Sequence, residues 1–261
     1  VALEINPPEN SEIIQAQVPR SFDFELPLPG DFNIANAGLA VGMASAAGID
    51  LDTFIAALTQ VAVPGRMQRI DEGQDFVAVV DYAHKPAAIE AVLDTLRSQL
   101  DSASVPSREG NGAGRIGVVV GAGGDRDSSK RGLMGAAAAN RADFVVVTDD
   151  NPRTEDPAPI RQAVMAGAIE AAEKAGRDVE IREIASRAEA IDEVVNWATS
   201  GDAVIVVGKG HEVGQLIGET MHHFDDREEL ARALQSKRTA HLNTPITPEA
   251  LDTAEDSDER Q

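Results

Sequence analysis

Short apolar runs alternate with helical stretches from residue 76 to residue 207, and this alternation constrains the fold more than any other feature. The apolar runs are rich in β-branched residues and bounded by polar turns, which is typical of buried parallel strands. Strands separated by helices form sheets with right-handed crossovers. The sequence therefore predicts an α/β fold with a doubly wound, mostly parallel sheet. The predicted strands are 76–81, 115–121, 143–148, 179–184 and 202–207, and the predicted helices are 86–100, 129–140, 157–175 and 187–199.

Residues 1–64 precede this alternation and have a different pattern. We interpret them as the end of a domain whose beginning is missing, with a boundary at the Val63-Pro64-Gly65 turn. This segment is predicted to hold strands at 1–5, 13–18 and 22–26 and helices at 33–47 and 51–58.

Residues 65–238 are expected to form one domain, completed after the alternating region by a hairpin at 215–224 and a helix at 226–236. Residues 101–114, rich in Ser and Gly, are predicted to be a surface loop. Residues 239–261 contain Pro, Thr and a run of acids, and we expect a disordered acidic tail there.

Composition excludes several classes of function. The net charge of −21 argues against a nucleic-acid partner, because phosphate would be repelled. No apolar stretch is long enough to span a membrane, so no membrane partner is expected. The absence of cysteine excludes disulfides and thiolate metal sites and fits a cytoplasmic protein.

The most informative turn is DDNPR at residues 149–153, directly after an apolar strand. Open α/β sheets bind ligands at the carboxyl ends of their strands. Asn151 provides an amide and Arg153 a bidentate fork for a carboxylate, which suits one end of an amino acid. The alternative is a tight turn in which Arg153 pairs with Asp149 or Asp150.

A glycine-rich turn at residues 121–131 follows the strand 115–121. Arg126, Lys130 and Arg131 would form an anion site at the start of the next helix, which Ser128 or Ser129 would cap. The segment is neither a dinucleotide-binding G-x-G-x-x-G turn nor a Walker A loop. The alternative is a glycine turn with solvated charges.

Two further turns carry polar side chains at strand ends. DYAHK at 81–85 places His84 where it would contact a base or phosphate, or else cap the next helix. GKGHE at 208–212 includes Glu212, a carboxylate that would complete a clamp for a zwitterion with Arg153. Arg66, at the domain boundary, would reach a phosphate or pair with an acid. We expect all the strand-end turns to meet at one edge of the sheet.

Together these motifs resemble those of the Mur ligases, most closely the members that add meso-diaminopimelate. The matching segments, in the family's order, are GDFNIAN (30–36), GRM (65–67), DYAH (81–84), GGDRD with KR (123–127, 130–131), DNPR (150–153) and GKGHE (208–212). The resemblance implies the complete third domain of such a ligase and the end of its central ATPase domain. It also implies that the P-loop, the magnesium ligands and the carbamylated lysine lie outside this chain, which by itself would be inactive.

The resemblance implies a reaction and a set of sites. ATP, with Mg²⁺, would phosphorylate the D-glutamyl γ-carboxylate of UDP-MurNAc-L-Ala-D-Glu, and the amine of diaminopimelate would attack the acyl phosphate. The substrates are small molecules, and a monomer is expected. No catalytic or metal-binding residue is expected in this part. The diaminopimelate site would comprise Arg126, Asp150, Asn151, Arg153, Gly208 and Glu212, and the nucleotide or phosphate contacts would be Arg66, Asp81, Tyr82, His84 and Lys130.

The sequence departs from the family pattern on the nucleotide side: Lys85 replaces a common Thr, Ala87 or Ala88 a common acid, and Ser129 a common Gly. Three alternatives stay open. One is a related ligase that uses L-lysine, although Arg126 and Arg153 would then lack the distal carboxylate of diaminopimelate. Another is a module that binds an anionic amino acid or nucleotide without chemistry. A folylpolyglutamate synthetase, which shares the general fold, is disfavoured because DNPR and GKGHE do not belong to its pattern.

Overall fold

The structure, a computed structural model, describes residues 2–5, 20–102 and 114–242. The strands are β1 Ala2–Ile5, β2 Arg20–Asp23, β3 Gln68–Arg69, β4 Val77–Asp81, β5 Ile116–Val120, β6 Phe144–Val147, β7 Glu180–Glu183, β8 Ala203–Val207, β9 Gly214–Ile217 and β10 Thr220–His223. The helices are α1 Asp31–Ala46, α2 Leu51–Leu58, α3 Pro86–Ser102, α4 Lys130–Ala139, α5 Pro157–Ala175, α6 Arg187–Trp197 and α7 Asp226–Leu242.

The predicted doubly wound, mostly parallel sheet is confirmed. The sheet has six strands in the order β3-β4-β8-β5-β6-β7, and only β3 runs antiparallel to its neighbour. The chain moves outward from β5 to β7, and α6 then returns it to β8, between β4 and β5. Each predicted strand of the alternation is present, shorter by one or two residues than its apolar run.

Helices cover both faces of the sheet, so its central strands are buried on both sides. On one face α3, α4 and α5 pack against Val118, Val145 and Ile205. On the other face α6 and α7 pack against Val119, Val146 and others of opposite parity along the same strands. Burial on two faces explains why the strands are continuous apolar runs rather than alternating ones.

The segment before the boundary departs from the prediction in its details. β1 and β2 form an antiparallel pair, and β2 ends at Asp23, so the predicted strand 22–26 is wrong beyond that residue. Helix α1 begins at Asp31 rather than at residue 33, after Gly30, whose φ is +100°. Helix α2 has the predicted bounds, and the Asp50 carboxylate accepts a hydrogen bond from Thr53 N at 3.0 Å. The predicted strand 13–18 lies outside the described residues.

Other predictions fall partly outside the described residues. Helix α3 continues to Ser102, and α7 continues to Leu242, beyond the predicted end at 236 and into the segment predicted as a tail. The rest of the predicted loop and tail, 103–113 and 243–261, is not described. The two-residue strand β3 is too short to leave a pattern in the sequence. None of the described helices is long and apolar enough to cross a membrane.

A buried ion pair joins the starts of α6 and α7 to the end of β8. The Arg187 guanidinium donates to both carboxylate oxygens of Asp226 at 2.7 Å, and both side chains have 0% exposure. Arg187 Nη2 also donates to the carbonyl of Val207 at 2.9 Å. The pair thus fixes the point at which β8 ends and its polar turn begins.

A second carboxylate organises the opposite end of β8. Asp202 is buried and accepts hydrogen bonds from the backbone N–H groups of Thr199 and Arg115, both at 2.9 Å. It also pairs with the Arg115 guanidinium at 2.7 Å. Burial by itself would raise the pKa of Asp202, but the hydrogen bonds from Arg115 and Thr199 outweigh it and hold the pKa below its ordinary value.

We expect Arg187→Met to lower the free energy of unfolding by about 3–5 kcal/mol, because the Asp226 carboxylate would be left buried and unpaired. The double variant Arg187→Met/Asp226→Leu should lose less than the single variant, since no unpaired charge remains. Urea denaturation of the wild type and both variants checks this. Equal losses in the single and double variants would show that the unpaired charge is not the cause.

Asp202→Asn is expected to lower the free energy of unfolding by about 1–3 kcal/mol at neutral pH. A carboxylate whose pKa is lowered by folding stabilises the protein above its unfolded pKa of about 3.9 and loses that effect as the pH falls through the folded value. The difference in the free energy of unfolding between wild type and variant should therefore become smaller below about pH 4. Urea denaturation at several pH values measures it, with the exposed Asp178→Asn as control. A gap that stays constant with pH would contradict this assignment.

Candidate functional site

The polar turns after β4, β5, β6 and β8 meet at one edge of the sheet, as predicted. Gly208 N donates to the Asp81 carbonyl at 3.1 Å, which joins the turns after β8 and β4. Gly124 N donates to the Asn151 carbonyl at 2.9 Å, and Lys209 Nζ donates to Asn151 Oδ1 at 2.8 Å. Parallel strands place their carboxyl ends at the same edge, and these bonds make the turns one connected site.

The backbone of Arg153 is held by the hairpin β9–β10. Arg153 N donates to the Leu216 carbonyl at 3.0 Å, and Gly218 N donates to the Arg153 carbonyl at 2.6 Å. Its φ is +55°, an uncommon conformation for a residue other than glycine. The hairpin therefore holds Arg153 in a fixed, strained backbone conformation at the edge of the site.

The Arg153 guanidinium binds carbonyl groups rather than acids. Nη1 donates to the Gly124 carbonyl at 2.7 Å, and no carboxylate among the described residues forms an ion pair with Arg153. The alternative that Arg153 pairs with Asp149 or Asp150 is wrong. Asp149 pairs with Arg161 at 2.6 Å, and Asp150 has a different partner. The charge of Arg153 is therefore left for a ligand.

Asp150 pairs with Lys209, a residue that was not among the predicted site residues. Lys209 is fully buried, and its Nζ lies 3.3 Å from Asp150 Oδ1. Burial lowers the pKa of Lys209, and the Asp150 carboxylate opposes that change. Asp150 is itself buried, so the structure places it beneath the site surface. The sequence feature that could have indicated this lysine is its position between two glycines, directly after an apolar strand.

Asn151 connects the opposite charges of the site. Its side-chain Nδ2 donates to Glu212 Oε2 at 3.2 Å, while its backbone carbonyl accepts a hydrogen bond from Arg153 Nη1 at 3.4 Å. Glu212 is half-buried, and its backbone N–H donates to the Lys209 carbonyl at 3.0 Å. Gly208, at the start of this turn, has a φ of +120° and lies against Asp150. A cation and a carboxylate thus contact the same residue, one at its backbone carbonyl and one at its side-chain amide, an arrangement suited to a zwitterion.

The glycine-rich turn after β5 differs from the predicted anion site. Arg131 is buried and pairs with Glu155 at 2.8 Å, so it is not available to a ligand. The prediction that Arg131 contributes to an anion site is therefore wrong. Neither serine caps α4 in the described structure. Ser129 stands at the cap position but donates to Asp127 at 2.6 Å, and it makes no side-chain cap hydrogen bond. The partner of Arg131 is 24 residues away in the sequence, so the spacing of the motif does not reveal it.

Hydrogen bonds between Asp125 and Thr154 join the turn after β5 to the turn after β6. The Asp125 carboxylate accepts hydrogen bonds from Thr154 N and Oγ1, both at 3.0 Å, and these bonds lower the pKa of Asp125. Asp125 has a φ of +52°. Arg126 is exposed, and both its charge and that of Arg153 act on the Asp125 carboxylate.

The turn after β4 carries an aromatic and basic cluster. The Arg66 guanidinium lies 4.5 Å from the centre of the Tyr82 ring, and the rings of His84 and His211 lie 4.7 and 5.3 Å from it. Arg66 therefore stacks on an aromatic ring, and the alternative that it pairs with an acid is wrong for the described residues. Lys130 Nζ donates to the His84 carbonyl at 3.1 Å. His211 was not among the predicted residues.

Asp81 and His84 have local partners. The Asp81 carboxylate is buried and accepts hydrogen bonds from Met67 N and Ala83 N at 2.7 Å each. Burial raises the pKa of Asp81, and the two N–H groups oppose that change. His84 Nδ1 lies 2.9 Å from the Tyr82 carbonyl, and no hydrogen bond within the described residues makes His84 a cap of α3. Asp81 thus ties the segment after the boundary to β4.

Gly65 and Gly210 pack too closely for side chains. A Cβ on Gly65 would lie 2.1 Å from the Gly210 carbonyl carbon, and its φ is +66°. A Cβ on Gly210 would lie 2.6 Å from Tyr82 Cβ. This close approach presses the boundary segment onto the turn after β8, which explains the glycine in both motifs. Among the described residues, no group of three or more His, Asp or Glu side chains is placed to hold a metal ion.

The family described as Mur ligase, glutamate ligase domain, matches residues 65–210. A UDP-N-acetylmuramoyl-L-alanyl-D-glutamate–2,6-diaminopimelate ligase from Corynebacterium glutamicum is 55% identical over 248 residues, which cover 95% of this chain and 44% of that protein. The chain thus spans less than half the length of this curated relative.

Solved structures show the same relationship. A structure of a UDP-N-acetylmuramoyl-L-alanyl-D-glutamate–2,6-diaminopimelate ligase aligns with a TM-score of 0.56 and 38% identity, over 84% of this chain and 41% of that one. A folylpolyglutamate synthase from Thermotoga maritima, 21% identical, aligns with a TM-score of 0.51 over 72% of this chain and 38% of that one, which shows a common fold alone. On the family match and the sequence identity together, the chain belongs to the Mur ligase family.

Proposed function

We propose that this chain is the amino-acid-binding part of an ATP-dependent ligase that adds meso-diaminopimelate to UDP-MurNAc-L-Ala-D-Glu in peptidoglycan precursor synthesis. The observation that carries the proposal is the pair of opposite charges around Asn151. Arg153 has no ion-pair partner among the described residues, and Glu212 lies 3.2 Å from the Asn151 amide. The high identity to ligases named for this substrate supports the assignment.

The site suits the two ends of an amino acid. Arg153 offers N–H donors in a planar fork, which matches a carboxylate, and the exposed Arg126 provides a second cation beside it. The Glu212 carboxylate accepts hydrogen bonds from an ammonium group. Gly208 shapes the turn that presents Glu212, and Asp150 supports the turn from beneath. Two arginines fit diaminopimelate better than L-lysine, because lysine lacks the distal carboxylate.

The chemistry requires a second substrate and a nucleotide, whose contacts we assign to the other half of the site. Arg66, Tyr82, His84 and Lys130 form the cluster nearest the boundary, with Asp81 beneath it. Aromatic rings stack on a base, and the cations suit phosphates. ATP would transfer its γ-phosphoryl group to the D-glutamyl γ-carboxylate and leave as ADP, with Mg²⁺ supplying charge stabilisation.

The free amine of diaminopimelate would then attack the acyl carbon, so that the C–N bond forms as phosphate leaves and the amine loses a proton. This chain would contribute by holding the amino acid in position for attack. We assign residues 1–64 to the end of the ATP-binding domain, the residues from 65 to the end of α7 at Leu242 to the amino-acid-binding domain, and the residues after α7 to an acidic tail. The natural polypeptide is then expected to carry a P-loop before this sequence, and to act as a cytoplasmic monomer on small molecules.

We expect Arg153→Ala to weaken binding of meso-diaminopimelate at least ~30-fold, since a substrate carboxylate would lose its charged partner. Isothermal titration of the natural polypeptide that carries this sequence measures the affinity. L-lysine should bind the wild type far more weakly than diaminopimelate does, because Arg126 and Arg153 would remain unpaired.

The matched control is Arg182→Ala, an exposed arginine on β7, which should bind as the wild type does. Equal affinity for lysine and diaminopimelate would show that the substrate is wrongly assigned. Binding of neither amino acid, with bound ATP and nucleotide substrate present, would refute the proposed function.

A further inference from the structure

We propose that Lys209 is a positioning residue that fixes the amide of Asn151 and, through it, the Glu212 carboxylate that receives the ammonium group of the incoming amino acid. The proposal rests on the proposed function and adds a residue to it. Lys209 does not contact the substrate in this scheme. Its ammonium group lies beneath the site and determines how the surface groups are arranged.

The environment of Lys209 excludes a direct role. The side chain has 0% exposure, so a ligand at the edge of the sheet does not reach it. Its ammonium group is surrounded by Asn151 Oδ1 at 2.8 Å, the Gly214 carbonyl at 2.9 Å and Asp150 Oδ1 at 3.3 Å. Two of its N–H donors are used by Asn151 Oδ1 and the Gly214 carbonyl, and Asp150 Oδ1 is an ion-pair partner that accepts no hydrogen bond. Any effect of Lys209 on the substrate is therefore transmitted by these neighbours.

The first link is the orientation of the Asn151 amide. Its Oδ1 accepts hydrogen bonds from Lys209 Nζ at 2.8 Å and from Leu216 N at 2.9 Å. Both partners are donors only, so the oxygen and not the nitrogen of the amide has to face them. With the oxygen turned inward, the Nδ2 group is turned toward Glu212. Lys209, together with Leu216 N, therefore determines which end of the amide is presented to the site, and Lys209 supplies the charged donor of the two.

The second link is the position of Glu212. Asn151 Nδ2 donates to Glu212 Oε2 at 3.2 Å, and Glu212 N donates to the Lys209 carbonyl at 3.0 Å. A carboxylate on a turn that contains two glycines of positive φ needs such contacts to stay in one place. If the amide rotated, a nitrogen would no longer face Glu212, and the carboxylate would lose its anchor.

The cost of burying a lysine supports a specific use for it. Moving an ammonium group out of water is unfavourable unless it is paired and hydrogen-bonded, and an apolar side chain would fill the space at lower cost. Burial lowers the pKa of Lys209, in agreement with that cost. What an apolar residue cannot supply is a donor aimed at Asn151 Oδ1.

The test uses the natural polypeptide that carries this sequence, with phosphate release measured as the concentration of meso-diaminopimelate, ATP or UDP-MurNAc-dipeptide is varied. Lys209→Met should raise the KM for diaminopimelate at least ~10-fold and leave the KM values for ATP and the dipeptide within about twofold, because only the amino-acid site loses an anchor. The exposed Lys174→Met is the matched control and should behave as the wild type does.

A second variant separates positioning from stability. Lys209→Met leaves Asp150 buried and unpaired, which destabilises the fold. Lys209→Met/Asp150→Asn removes that unpaired charge, so its unfolding temperature should recover toward that of Asp150→Asn. Its KM for diaminopimelate should nevertheless stay at least ~10-fold above that of Asp150→Asn, since Asn151 Oδ1 still lacks the charged donor and is held by Leu216 N alone.

The outcomes are distinct. A KM for diaminopimelate that recovers together with stability, or that never changed, would overturn the positioning role. A similar rise in all three KM values would overturn it as well, because that indicates general damage. If the wild type releases no phosphate in response to diaminopimelate, the proposed function fails, whatever the variants do.

Discussion

Two buried pairs of opposite charge underlie the edge of the sheet where the polar turns meet. Arg187 and Asp226 are fully buried and hydrogen-bonded at 2.7 Å, and Lys209 lies 3.3 Å from Asp150 directly behind the site. A buried charge without a partner is strongly destabilising, so each pair holds its two segments together. Through them the end of β8, the turn after β6 and the starts of α6 and α7 become one rigid support.

Above this support the site is divided between groups already paired and groups left open. Arg131 and Arg161 are paired with Glu155 and Asp149, and they join turns and helices. Arg153 donates to carbonyl groups and retains its charge for a ligand. A carboxylate ligand therefore meets an arginine whose position is already fixed, which reduces the entropy lost on binding.

The fold was predictable because its signals are local. Apolar runs of strand length alternating with helices indicate a parallel α/β sheet, and the carboxyl ends of parallel strands always share one edge. The convergence of DNPR, GKGHE, DYAH and the glycine-rich turn follows from that rule. The two-residue strand β3 and the true ends of α1 and α7 were missed, because short pairings and helix ends leave weak signals.

The sequence by itself determined the type of sheet and the edge at which its functional turns lie. Only the tertiary structure decided the roles of the individual charges. Arg131 and Arg153 look alike in the sequence, yet one is buried against Glu155 and the other faces the site. Lys209 is buried beside Asp150 because β8 lies in the interior of the sheet, between β4 and β5, a strand order that the alternation leaves open. The reason is physical: the role of a charge depends on the partners around it, and these partners are brought together from distant parts of the chain.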